Sequence, residues 1–186
     1  MEAFLGKGVF LVASPGLRDP NFRQTVVLLC EHGDEGALGV VVNRPTAMLL
    51  SEAVPQVPVL EGQRHTLFSG GPVQPNQVMI LFRLSHESED QHHVFDGVYL
   101  GGDPGVLEQV LTRPSGTDAF RAYVGYSGWG PGQLENEMKT GSWITLPADP
   151  TVVFEKDPAR IWPDIMRALG GRYRVYADMP PDPHMN

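Results

Sequence analysis

Few segments of this 186-residue chain combine the residue types and spacing that chemistry requires. Gly125-Tyr126-Ser127-Gly128-Trp129 sets a serine among glycines, as at the nucleophile elbow of serine hydrolases. That elbow needs Gly two residues before and two residues after the Ser, so that the sharp turn can be made; position 129 is Trp. Ser69 fails likewise, with Leu67 two residues before it. Ser127 therefore reads as a small residue at a tight strand exit. The run Gly128-Trp129-Gly130-Pro131-Gly132-Gln133 is a Gly-rich loop leading into a helix start, which can hold an anion through exposed N–H groups and the helix dipole. Pro131 removes one donor, and Gln133 stands where the dinucleotide fingerprint needs its third Gly. The alternative is a plain strand-to-helix connector. Trp129 is either a core anchor folded under this loop or an exposed contact residue, and its size favours the core.

His86, Glu87, Glu89, Asp90, His92, His93 and Asp96 offer metal-ligand atoms without a ligand spacing such as H-E-x-x-H. They read as a solvated acidic loop, and no metal or cofactor is expected. Cys30 sits among Val26, Val27, Leu28 and Leu29, where a thiol is an inert small hydrophobe. Asn43 and Arg44, with Arg18 and Asp19, could form a polar site at one end of a hairpin. More simply, they satisfy the backbone of a turn.

These groups need a scaffold. Residues 8–14 (GVFLVAS), 25–32 (TVVLLCEH) and 37–43 (ALGVVVN) read as strands, the last two joined by Gly33-Asp34-Glu35-Gly36 into a central hairpin. Both are apolar at nearly every position, so both faces of the sheet must be covered. Arg44-Pro45-Thr46 stops the hairpin, and 49–54 allows a short helix. Further strands are expected at 66–70, 77–84 and 94–101. A helix opens at Asp103-Pro104 and ends at Arg113-Pro114, by the logic of an Asp cap with Pro at the first helical position. Then follow a strand at 119–126, a short helix at 133–139, and candidate strands at 142–146 and 152–155. A last helix begins at Asp157-Pro158, or at Pro163, and closes at Gly170-Gly171. An edge strand is possible at 173–176, and Pro180, Pro181 and Pro183 mark a frayed end. Hairpins mixed with short helices favour α+β over a doubly wound parallel sheet. Residues 1–178 are expected to form one domain and 179–186 a flexible tail.

The chain carries 14 Lys and Arg against 22 Asp and Glu, a net −8 with His neutral. The basic residues are scattered, which argues against direct nucleic-acid binding by bulk charge. Gly and Pro number 21 and 17, which cuts the chain into short elements and argues against long helical bundles. With one cysteine, no intramolecular disulfide can form. No signal-peptide run or membrane span is visible, so a cytoplasmic protein is expected.

The ordered motifs resemble the YqgE/AlgH family of small bacterial proteins over nearly the whole chain. The resemblance is carried by Gly8–Ala13, by Pro20-Asn21-Phe22-Arg23-Gln24-Thr25-Val26-Val27-Leu28-Leu29, by Glu31-His32, and by Gly36–Pro45. Gly70-Gly71-Pro72-Val73 and Gly125–Glu135 continue it, and Trp143 and Trp162 fall where that family carries tryptophans. The resemblance implies an α+β fold of mixed, mostly antiparallel sheets wrapping towards a barrel-like core with several short helices. It brings no accepted catalytic residues, and members often have Ala at the place of Ser127. Some members carry the label transcriptional regulator, which the acidic charge makes easier to read as an indirect effect.

The reading is a non-catalytic binding or regulatory protein, monomeric, with a protein partner or a small ligand. Its candidate contact residues are Asn43, Arg44, Gly70, Gly71, Pro72, Gly128, Trp129, Gly130 and Gln133, gathered at one end of the core. An exposed Trp129 would support this surface, and a buried one would count against it. The competing readings are an enzyme acting on a small anion at the Gly130–Gln133 helix start, and direct DNA binding.

Overall fold

A computed structural model describes residues 4–84, 87–112 and 119–181. Strand β1 (Val9–Ala13) is buried along its whole length, as are the first five residues of β2 (Val26–Gly33). β2 turns at Gly33–Gly36 into β3 (Gly36–Val41), forming the expected hairpin. Side chains alternate across a strand, so these strands feed two cores. Phe10, Val12, Val26, Leu28, Cys30 and Val40 point one way; Val9, Leu11, Ala13, Val27, Leu29 and Val41 point the other.

The chain continues through β4 (Pro45–Leu49), α1 (Leu50–Ala53), β5 (Thr66–Ser69), β6 (Val73–Arg83), β7 (His92–Phe95) and β8 (Val98–Gly101). It ends with α2 (Pro104–Thr112), β9 (Phe120–Trp129), α3 (Gln133–Lys139), β10 (Trp143–Pro147), α4 (Pro150–Phe154) and α5 (Pro158–Leu169). The sheet order is β10-β1-β2-β3-β9-β6-β8-β7, with β4–β5 attached alongside β9. Every pairing is antiparallel except β5 with β9. The fold is thus mixed α+β as expected, but the sheet does not close. It curls until His92 of β7 reaches the Cys30 carbonyl of β2 at 3.1 Å, without a ladder joining the two strands. One core lies within the curl under α5, through Ile161, Trp162 and Met166. The others are covered by α1 and α2, through Leu50, Leu107 and Val110, and by α3, through Leu134.

Several local expectations need correction. Residues 152–155 are not a strand: Asp149 caps the Thr151 N–H at 2.9 Å with Pro150 behind it, so the β-branched Val152 and Val153 lie in helix α4. Residues 173–176 form a 3-10 helix rather than an edge strand, because Gly170 and Gly171 turn the chain with φ of 67° and 51°. Helix α5 starts at Pro158 and runs through Pro163, fixed by Asp157 capping Ala159 and by the buried Ile161 and Trp162. The expected strand 94–101 is a hairpin, turning at Asp96-Gly97 with φ of 38° and 75°. Pro45 opens strand β4 rather than only ending the hairpin, a position where its missing N–H costs no ladder bond. Arg113-Pro114, proposed to end α2, lie outside the described residues, as does the tail from 182 onwards.

Candidate functional site

The candidate residues separate into two groups. Asn43, Arg44, Gly70 and Gly71 sit together where the chain leaves β3. The Asn43 side chain accepts from the Val26 N–H at 3.0 Å and donates to the Gln24 carbonyl at 2.9 Å. Arg44 donates to the carbonyls of Asn21 (2.5 Å), Arg23 (3.0 Å) and Pro20 (3.1 Å). Burial first, and then Arg23, pull its guanidinium below its ordinary pKa. Both side chains thus satisfy backbone groups between Pro20 and Val26, the simpler of the two readings. The Gly70 carbonyl accepts from the Val41 N–H at 2.9 Å and the Ser127 hydroxyl at 3.0 Å. Gly71 has φ 151°, and a Cβ there would lie 2.3 Å from the Tyr126 carbonyl group. Its glycine serves chain crossing rather than ligand approach. Pro72 is exposed beside it.

Gly128, Trp129, Gly130 and Gln133 lie elsewhere. Trp129 pairs with Ala37 and Gly128 with Leu38, at the far end of β3 from Asn43. Five residues lie between Ala37 and Asn43, a span of roughly 20 Å. Asn43 and Arg44 do not form one surface with the 128–133 loop; Gly70 and Gly71 cross between the two, with Val41 on one side and Tyr126-Ser127 on the other. Trp129 is 5% exposed, stacked on Phe22 at 6.1 Å and edge-on to Trp143 at 6.1 Å. Its indole N–H donates to Glu137 Oε2 at 2.9 Å. It is a core anchor, the reading that its size favours, and it does not supply the exposed contact that would have supported the candidate surface.

The anion cradle at the helix start is also filled from within. The Gly130 N–H donates to Gln133 Oε1 at 3.0 Å, and the Gln133 N–H to the Gly130 carbonyl at 3.1 Å. Ser127 is fully buried with its hydroxyl on a carbonyl, where no substrate reaches it. Cys30 is fully buried as well; burial, with Glu31 next, pushes its thiol far up, away from the reactive thiolate. Of the acidic loop, His86 lies outside the described residues, and His92 and His93 stand on β7. Among the described residues no three His, Cys, Asp or Glu converge on a metal-sized space.

What remains open near Gly128 is a cleft of about 480 Å³. Its walls include Leu38, Val73, Tyr126, Gly128 and Trp129, and the hairpin supplies Glu31 and Glu35. Gly128 keeps it wide: a Cβ there would sit 3.6 Å from both the Tyr126 ring and the Val73 side chain, room that a larger residue would fill. Both glutamates are exposed, with His92 Nε2 3.6 Å from Glu31. Sequence reasoning missed Glu31, Glu35, Val73 and Tyr126. The available signal was a group of three carboxylates, Glu31, Asp34 and Glu35, interrupting an otherwise apolar hairpin.

A family profile described as AlgH-like matches residues 10–174. A UPF0301 protein of Chlorobium limicola is 37% identical over 183 residues, covering 98% of this chain and 96% of its own. The solution structure of the AlgH protein from Pseudomonas aeruginosa superposes with a TM-score of 0.73 at 27% identity, covering 97% of this chain and 98% of that one. A crystal structure of a Corynebacterium diphtheriae protein, 24% identical, shares the fold with a TM-score of 0.76, covering 96% and 95%.

Proposed function

Since the chain belongs to the AlgH-like family, we propose that it works as a non-catalytic binding protein, a single-domain cytoplasmic monomer that acts on its pathway by holding a protein partner. The contact surface is the cleft beside Gly128, and the partner segment it suits is basic with an apolar side chain. One observation carries this reading: Glu31 and Glu35 border a depression whose walls are Leu38, Val73 and Tyr126. Carboxylates at a rim steer and select a basic partner, while apolar walls supply area. The net charge of −8 favours the same class of partner and opposes direct contact with DNA. Any effect on transcription then passes through the bound protein. Among the described residues no helix is long and apolar enough to cross a membrane.

The test is capture from host lysate after nuclease treatment, with wild type, Gly128→Leu and the Glu31→Lys/Glu35→Lys double variant as baits. Gly128→Leu fills the cleft without the backbone strain of a left-handed glycine, and it leaves the buried Trp129 in place. A partner kept after nuclease and lost with both variants is the expected result. Equal recovery on all three baits, or recovery that nuclease abolishes, would refute the reading.

A further inference from the structure

A second pocket, of about 380 Å³, opens where β4, β5 and β9 meet the start of α5. It shares no residue with the cleft at Gly128, and its occupancy does not depend on the function proposed above. We propose that this pocket binds a small organic anion, a carboxylate or phosphate carried on a flat apolar body, with Arg121 as the oxyanion contact.

Charge makes the first argument. The chain as a whole is strongly acidic, yet the described residues that line this pocket include Arg64 and Arg121 and no carboxylate. Among the described residues neither arginine enters an ion pair. Asp157, next to Pro158, does not line the pocket and is engaged in capping the Ala159 N–H at 3.1 Å.

The second argument is an unmet donor. Arg121 lies over the Phe68 ring, its guanidinium carbon 4.5 Å from the ring centre, and its Nη2 donates to the Phe154 carbonyl at 3.1 Å. These contacts hold the planar group in place. Its Nη1 is buried and, among the described residues, has no hydrogen-bond partner. A buried guanidinium nitrogen left without an acceptor is unfavourable, and such groups in folded proteins are otherwise paired. Arginine presents its donors as a rigid fork matched to carboxylate and phosphate. Arg121 lines the pocket, so a small turn of the guanidinium towards it would let an entering oxyanion supply the missing acceptor.

The third argument is shape. Pro45, Phe68, Phe120 and Pro158 give the pocket apolar walls. The His65 ring lies 4.6 Å from that of Phe120, forming an aromatic corner. The volume lies within the range of small-molecule sites, roughly 300–1,000 Å³. An apolar body beyond the oxyanion would therefore find surface to cover.

The test is an amide NMR titration of the full chain at constant ionic strength with three probes: inorganic phosphate, benzoate and phenyl phosphate. We expect saturable shifts at residues 64–66, 68 and 120–122, with at least one aromatic anion binding more tightly than inorganic phosphate. Preference for benzoate assigns a carboxylate ligand, and preference for phenyl phosphate assigns a phosphate. Arg121→Lys should weaken binding about tenfold, as expected for loss of a charge-assisted fork. Because Arg121 also packs on Phe68, the exposed Arg64→Glu provides a second variant and should weaken binding to a similar extent. Non-saturating shifts spread over exposed basic residues would overturn the site. So would unchanged affinity in a folded Arg64→Glu protein, or inorganic phosphate binding as tightly as both aromatic anions.

Discussion

Trp129 and Trp143 share one acceptor: both indole N–H groups donate to Oε2 of Glu137, at 2.9 and 2.8 Å. The two rings meet edge to face, and Phe22 packs against both. A carboxylate on α3 thereby ties the end of β9 to the start of β10. Replacing it leaves two buried indole donors unpaired. Glu137→Leu should destabilise the protein by about 2–4 kcal/mol, since bonds to a charged acceptor are worth about 1.5–3 kcal/mol each and the pair acts as a unit. Glu137→Gln keeps an acceptor but sets an amide against the Gln133 side chain, which donates to Glu137 Oε1 at 3.2 Å; about 1 kcal/mol is expected. Urea unfolding followed by tryptophan fluorescence measures both, and equal stability of the Leu variant and wild type would refute the shared-acceptor account.

Two glycines with positive φ should respond very differently to alanine. Gly71 combines φ 151° with a Cβ position 2.3 Å from the Tyr126 carbonyl group. Gly132 has φ 72° with nothing within 4 Å of its Cβ position. Gly132→Ala should therefore cost about 1 kcal/mol, the left-handed strain alone. Gly71→Ala must also displace β9 and should cost about 3 kcal/mol or more. Thermal melts of the two variants, run side by side, make the comparison, and equal losses would show that backbone contact at Gly71 is unimportant.

The Cys30 thiol should be silent in the folded protein. It is fully buried, and burial holds its pKa far above the thiol range, so neither access nor thiolate is available. Labelling by a water-soluble disulfide reagent should occur only through unfolding, at a rate that rises with denaturant in step with the unfolded fraction. Rapid labelling in plain buffer would contradict the burial.

The strongest elements were legible because their signals were local. Residues 26–33 and 36–41 are β-branched runs around a Gly-bounded turn, and they form the hairpin that their pattern predicts. Asp157-Pro158 gave the start of α5 through cap chemistry. The same signature stands at Asp149-Pro150, where the strand expectation rests on the β propensity of Val152 and Val153 and leaves the cap out; there the cap prevails. The site was harder to read because it depends on which loops meet. Gly128 pairs with Leu38 while Asn43 lies beyond the other end of β3, a separation fixed by the pairing register. Arg121 looked like an ordinary polar residue in an alternating strand; its unmatched Nη1 exists only because α4 and β5 close over it.

His32 and Glu135 connect the β2–β3 hairpin to α3, with Nε2 and Oε1 2.6 Å apart. A backbone N–H bond at the start of α3, followed by the His32 ring, holds the Glu135 carboxyl below the usual glutamate range. A depressed carboxylate stabilises the fold above its unfolded pKa of about 4.3, and that stabilisation is lost as pH falls through the lower folded value. The Glu135 side chain is partly exposed, so solvent screening limits the contribution to about 0.5 kcal/mol. Glu135→Gln should therefore be slightly less stable than wild type between pH 5 and 7, with the gap closing as pH falls below about 4.3. Urea midpoints across this range measure it. A gap that persists unchanged in acid would show that the loss comes from packing rather than from the ionised carboxylate.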